Sequence, residues 1–135
     1  VKDLHAAHTP ERAPLLTSLS LCLLAARAHG LACIDGVYNA FKDDDGLRTA
    51  CIQGRDMGFD GKTLIHPAQL AITNEVFAPS PDDISLAQRY VAAFDEAGGG
   101  VAVVDGKIVE NLHVENAQRL LAEAAAIAEL EAASA

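Results

Sequence analysis

Two short apolar runs, Leu31 to Tyr38 and Thr63 to Ile65, enclose a segment with helical spacing, and only short turns separate the three. Strand, helix and strand joined this tightly form a right-handed crossover, which lays the two strands parallel. The helical segment opens at Asp43-Asp44-Asp45, where carboxylates accept orphan amides and suit the positive end of the helix dipole. Its apolar or small face is Leu47, Ala50, Cys51, Gly54 and Met57, and Gly58 closes it. Upstream, Leu15, Leu16, Leu19, Leu23 and Leu24 recur at helical spacing, and Gly30 supplies a stop. The result is an αβαβ alternation. Strands in such units are covered on both faces, so both apolar runs are expected to be buried. The alternation begins abruptly, as the end of a larger α/β architecture would.

The pattern changes after Pro67. Ser80-Pro81-Asp82-Asp83 is a strong helix start, with Ser80 as N-cap, Pro81 in the first turn and Asp83 closing a capping box. Ile84, Ala87, Tyr90, Val91 and Phe94 make the apolar stripe of that helix, and Gly98-Gly99-Gly100 ends it. Val101 to Glu110 alternates around Asp105-Gly106, a two-residue hairpin turn, and a last helix is predicted from about Val114. Residues 1–78 thus read as an α/β part and residues 79–135 as a helix–hairpin–helix domain.

Composition narrows the function. A net charge of −9 excludes a nucleic-acid surface, which needs clustered Lys and Arg. Cys22, Cys33 and Cys51 have neither disulfide nor zinc spacing, which points to a reducing compartment. The apolar stretch from Leu15 to Ala28 is too short and too interrupted to span a bilayer. A cytoplasmic protein is expected, or a mitochondrial-matrix one in a eukaryote.

Active sites of parallel α/β folds lie beyond the carboxyl ends of the strands. Asp35, Tyr38 and Asn39 fall at or past the end of the first strand, and His66 and Gln69 past the end of the second. Asp35 is either a site carboxylate or the cap of a turn with Gly36. His66 either serves the rim of a site or holds a loop with Pro67. Lys62 falls at the opposite strand end, which argues against a ligand role. Arg48 and Arg55 are expected in solvent, and His113 at the entry of the last helix. Glu110 ends an apolar strand just before a helix, as a site carboxylate or as an ordinary strand end.

Several motifs, in order, resemble the citrate lyase β-subunit-like proteins, the malyl-CoA and citramalyl-CoA lyase group of the HpcH/HpaI aldolase superfamily. They are Ala-Arg-Ala-His-Gly-Leu from Ala26 and Cys-Ile-Asp-Gly-Val-Tyr from Cys33, then Phe-Lys-Asp-Asp-Asp-Gly-Leu from Phe41. Gly58 to Gln69, Asn74 to Pro79 and Asp105 to Glu110 complete the set. The resemblance implies the C-terminal portion of a TIM-type (β/α)8 barrel, about two parallel strands with their helices, followed by the helix–hairpin–helix appendage. A whole barrel takes about 250 residues. With Val at position 1 and Met57 the only methionine, a trimmed or partial chain is expected.

The same resemblance implies a Mg²⁺-dependent carbon–carbon lyase acting on 3-hydroxyacyl-CoA esters, with glyoxylate, pyruvate or oxaloacetate as the keto acid. Its metal carboxylates would lie upstream of Val1, so no metal ligand is assigned in this chain. Asp35, Gly36 and Val37, with Ile65, His66 and Pro67, match the strand ends that line the coenzyme A side of the pocket. Glu110 matches the C-terminal-domain carboxylate that acts as acid or base in a neighbouring protomer of a homo-oligomer. The family carries Asp at that position, one methylene shorter. A malyl-CoA-type thioesterase on the same scaffold and a non-catalytic assembly fragment are the competing readings. The chain alone is expected to be inactive.

Overall fold

The computed structural model describes residues 1–134 and divides into two compact units, Val1–Phe77 and Ala78–Ala135. In the first unit a short 3-10 turn, Ala13–Leu15, leads into α1 (Leu16–Ala28). β1 (Ile34–Asp35), α2 (Asp44–Met57) and β2 (Gly61–Lys62) follow, then a 3-10 turn at Pro67–Gln69 and α3 (Leu70–Phe77). The strands pair in parallel, Ile34 opposite Gly61 and Asp35 opposite Lys62. The predicted parallel strand–helix–strand unit is therefore present.

α2 is capped as its sequence dictates. Asp43 accepts the Gly46 amide, and Gly58 takes a left-handed φ of 104° at the C-terminal end. Leu47 and Cys51 on its inner face pack against Val76 of α3. The helix at 70–77 is not among the elements that the sequence predicts. His66-Pro67 starts the 3-10 turn that leads into it, because Pro67 fits a first turn and the His66 side chain accepts the Ala68 amide.

The strands differ from expectation. They are short, and the second one is Gly61–Lys62 rather than Thr63–Ile65. The ladder ends when Thr63 donates to the Asp35 carbonyl (2.9 Å). Two residues later Ile65 donates to the Gln69 side chain instead of a neighbouring strand (3.1 Å). Nor are the runs buried. Ile34 and Ile65 are 53% and 51% exposed, because the sheet has only two strands and both edges are open.

The second unit holds α4 (Pro81–Glu96), β3 (Ala102–Val104), β4 (Lys107–Val109) and α5 (Asn111–Ser134). Ser80 and Asp83 form the capping box in full. The hairpin turns through Asp105 (φ 52°) and Gly106 (φ 75°), the positive pair that a tight two-residue turn requires. Ala102, Val104, Val109 and Val114 make the core, packed by Tyr90, Val91 and Phe94 of α4. α5 starts at Asn111, three residues before the predicted position, because Glu110 already accepts the first helical amides from His113 and Val114. Among the described residues, no helix is long and apolar enough to cross a membrane.

Candidate functional site

Asp35 organises the first unit. Its side chain is fully buried, and its two oxygens accept Arg12 Nη1 at 2.7 and 2.9 Å. Lys62 Nζ donates to Oδ2 at 2.9 Å, and the Gly36 amide donates to Oδ1 at 2.8 Å. Burial pushes this carboxyl up, but hydrogen bonds from Arg12 and Lys62 outweigh it and hold it below the ordinary 3.8. Lys62 is correspondingly buried, its side chain 2% exposed. This corrects its expected place at the far strand end: the ladder sits earlier, so Lys62 is the register partner of Asp35. Gly54 of α2 makes room for the cluster, since a Cβ there would stand 2.9 Å from Asp35 Oδ2.

No sequence pattern singles out Arg12. It sits in a left-handed conformation (φ 56°) just before the first turn of helix, and its Nε donates to Gln53 Oε1 at 2.7 Å. Gln53 in turn donates to the Glu11 carbonyl (2.7 Å), which straps the N-terminal segment onto α2. No local spacing announces such a contact, because Arg12 and Asp35 meet across 23 positions. The only available signal was chemical: a carboxylate in an apolar run needs cations from somewhere. A cavity of about 630 Å³ opens beside the cluster, lined by Thr9, Arg12, Val37, Tyr38, Gln53 and Lys62 among others.

The loops leaving the two strands are tied together. Gln69, buried, donates to the Tyr38 carbonyl (2.9 Å) and accepts the Ile65 amide (3.1 Å). Tyr38 donates its hydroxyl to Asp43 (2.6 Å), which raises the Tyr38 pKa and lowers that of Asp43. His66 is exposed. Its Nδ1 accepts the Ala68 amide (3.1 Å) and its ring stacks on Phe41 with centroids 4.7 Å apart. Lys42 Nζ stands 5.7 Å from the same Phe41 ring. The structure thus brings Asp35, Gly36 and Val37 to the end of β1, and places Ile65, His66 and Pro67 in the segment that follows β2, with Gln69 bridging the two loops.

Arg48 does not stand alone in solvent but forms a two-bond pair with Glu75 of α3 (2.7 and 2.8 Å). Glu110 belongs to the second unit. It follows the fully buried Val109, and its carboxylate is exposed.

The cluster cannot serve as a magnesium site. Asp35 is occupied by two cations and an amide, and the described residues contain no group of three or more His, Cys, Asp or Glu side chains able to hold a metal.

Comparison with known proteins agrees with the motifs. Residues 1–67 match the HpcH/HpaI aldolase/citrate lyase family. The chain is 67% identical to a (3S)-malyl-CoA thioesterase of Cereibacter sphaeroides over 94% of its own length and 46% of that protein's. It is 35% identical to an L-malyl-CoA/beta-methylmalyl-CoA lyase of Rhodobacter capsulatus, over 74% of this chain and 32% of that one. Among solved structures it resembles the protein CitE from Mycobacterium tuberculosis, crystallised with magnesium, acetoacetate and coenzyme A. There the TM-score is 0.68 at 29% identity, covering 79% of this chain and 40% of CitE. The chain therefore spans about half the length of its thioesterase relatives, and its fold is a portion of a citrate-lyase-type TIM barrel with an appendage. Residues 1–67 belong to the HpcH/HpaI aldolase/citrate lyase family.

Proposed function

We propose that this chain forms part of an enzyme that processes 3-hydroxyacyl-CoA esters, and that its reaction is hydrolysis of a malyl-CoA-type thioester. One observation carries the choice of hydrolysis: the 67% identity to a (3S)-malyl-CoA thioesterase over nearly the whole chain. Carbon–carbon cleavage is the second reading, supported by the 35% identity to a malyl-CoA lyase. The two reactions share a substrate class and differ in the bond that breaks. In hydrolysis, water adds to the thioester carbonyl and the sulfur leaves. In cleavage, the substrate hydroxyl loses its proton, the bond between the hydroxyl-bearing carbon and its neighbour breaks, and an acyl-CoA enolate takes a proton.

In this reading the residues divide the work. Asp35, with Arg12 and Lys62, fixes the first strand end, and Gln69 fixes the loop that bears Ile65, His66 and Pro67. These two loops form the coenzyme A side of the pocket. The exposed His66–Phe41 pair, its rings inclined by 30°, with Lys42 beside it offers an aromatic surface and a cation. Glu110 is the acid or base, supplied to the site of a neighbouring protomer in a homo-oligomer. Magnesium and the small acid are held by residues outside this chain.

The test exchanges these 135 residues for the matching segment of the Cereibacter sphaeroides thioesterase and supplies (3S)-malyl-CoA. Free malate and coenzyme A are the expected products. Glyoxylate with acetyl-CoA in their place would establish the lyase reading instead. Glu110→Gln in the same chimera is expected to lower turnover by about 100-fold or more, and unchanged turnover would remove Glu110 from the mechanism.

A further inference from the structure

We infer that His113 is the positioning residue for Glu110, holding its backbone so that its carboxylate is left free for chemistry. The inference rests on reading Glu110 as the acid or base. Glu110 occupies the N-cap of α5 and His113 the third helical position. Reciprocal capping ordinarily consumes both side chains: the cap side chain takes the third amide, and the third side chain takes the cap amide. α4 follows that rule, since Ser80 Oγ accepts the Asp83 amide (3.1 Å) and Asp83 takes the Ser80 amide (3.3 Å).

α5 departs from it on one side only. The Glu110 amide donates to His113 Nδ1 at 3.0 Å. The His113 amide, however, goes to the Glu110 main-chain carbonyl at 2.9 Å, not to its carboxylate. An imidazole thus performs half of the box, and the backbone carbonyl performs the other half. The Glu110 carboxylate is released from capping and lies exposed. Asn111, the first helical residue, donates instead to Glu115 at 2.8 Å.

The surroundings make this support rigid. Val109 before Glu110 is 0% exposed and Val114 after it is 4% exposed, both in the apolar core. Tyr90 of α4 meets the His113 ring edge-on, with centroids 6.4 Å apart at 80°, a favoured aromatic geometry that fixes the imidazole plane. A displacement of about 1 Å at a reacting group can cost about 100-fold in rate. The longer Glu side chain therefore depends on a fixed backbone more than Asp would.

Two measurements test the assignment. In the 135-residue chain, His113→Leu is expected to speed Glu110 amide hydrogen exchange about tenfold relative to the hairpin amides, the effect of losing one hydrogen bond. His113→Asn keeps an acceptor at the same distance along the side chain and is expected to restore protection to within about twofold. In the thioesterase chimera, His113→Leu is expected to lower kcat about tenfold with KM within about twofold, and His113→Asn to recover it. Unchanged Glu110 exchange in His113→Leu overturns the inference, as does unchanged kcat once the protection is lost. If Glu110→Gln leaves turnover intact, the catalytic reading of Glu110 fails; the exchange measurement still judges the support that His113 gives it.

Discussion

The two units solve burial in opposite ways. Among the described residues, the buried polar side chains Asp35, Gln69 and Thr73 all lie in the first unit. The described buried residues of the second are Ala87, Ala102, Val104, Val109, Val114 and Ala117, every one apolar. An apolar core tolerates any partner of suitable shape, whereas a buried carboxylate accepts only an arrangement that satisfies its charge. The first unit has a sheet of two short strands with open edges, and hydrophobic contact alone cannot set its register. Asp35 does so, because its pairing with Lys62 is lost if the strands slip by one residue. The second unit needs no such device, since the Asp105-Gly106 turn fixes its hairpin locally.

The strongest way to break this contrast is to remove the carboxylate. Asp35→Ala leaves Lys62, 2% exposed, and Arg12, 15% exposed, facing each other without their anion. The expected loss is about 3–5 kcal/mol, typical of orphaning one side of a buried pair, and confined to the first unit. Residue-resolved hydrogen exchange under mild urea reads both units at once. A loss below about 1 kcal/mol would show that the pair behaves like a surface ion pair and does not organise the fold.

Acid probes the same cluster more gently. The native carboxyl of Asp35 titrates below 3.8 because hydrogen bonds from Arg12 and Lys62 outweigh the effect of burial. A lowered native pKa contributes stability that is fully present above the unfolded value, and that stability disappears as pH falls through the native one. The first unit is therefore expected to keep its stability down to about pH 4 and to lose it progressively below, in a denaturation series followed by the amides of Ile34 to Lys62. Asp35→Asn is expected to flatten this dependence. A profile equally steep in the variant would assign it to other carboxylates, Glu75 with its own lowered pKa among them.

The same contrast explains what was legible beforehand. The second unit was read almost completely, including the Ser80 box, the stripe of α4 and the hairpin turn, because each is encoded within a few residues. In the first unit, α1, α2 and the parallel pairing are encoded in the same local way, whereas α3 follows a 3-10 turn and carries no such signal. The Arg12–Asp35–Lys62 cluster was not legible, since its members are spread over 50 positions and meet only once the strands have paired. Lys62 falls at the wrong strand end in the sequence because the apolar run after it suggests a strand two residues later than Gly61–Lys62. The sequence places Gln69 past a strand end, yet its bridge from Ile65 to Tyr38 depends on where two loops fall. Exposure of Ile34 and Ile65 was likewise invisible, because a two-residue pattern does not say how many strands will cover it.

The smallest expected effect tests the local side of the contrast. If the second unit is specified by short-range signals, deleting one should cost only what that signal is worth and leave everything else in place. Ser80→Ala removes the hydroxyl that accepts the Asp83 amide (3.1 Å) and its bond to the Asp83 carboxylate (2.6 Å). The expected cost is about 1 kcal/mol, seen as faster exchange in the first turn of α4 while the amides of β3 and β4 stay protected. Pro81 still pre-sets the first helical φ and Asp82 still faces the positive end of the dipole, so the helix start should survive. A loss several times larger, spreading into the hairpin, would mean that the cap is coupled to the apolar core. The second unit would then share the long-range dependence that sets the first apart.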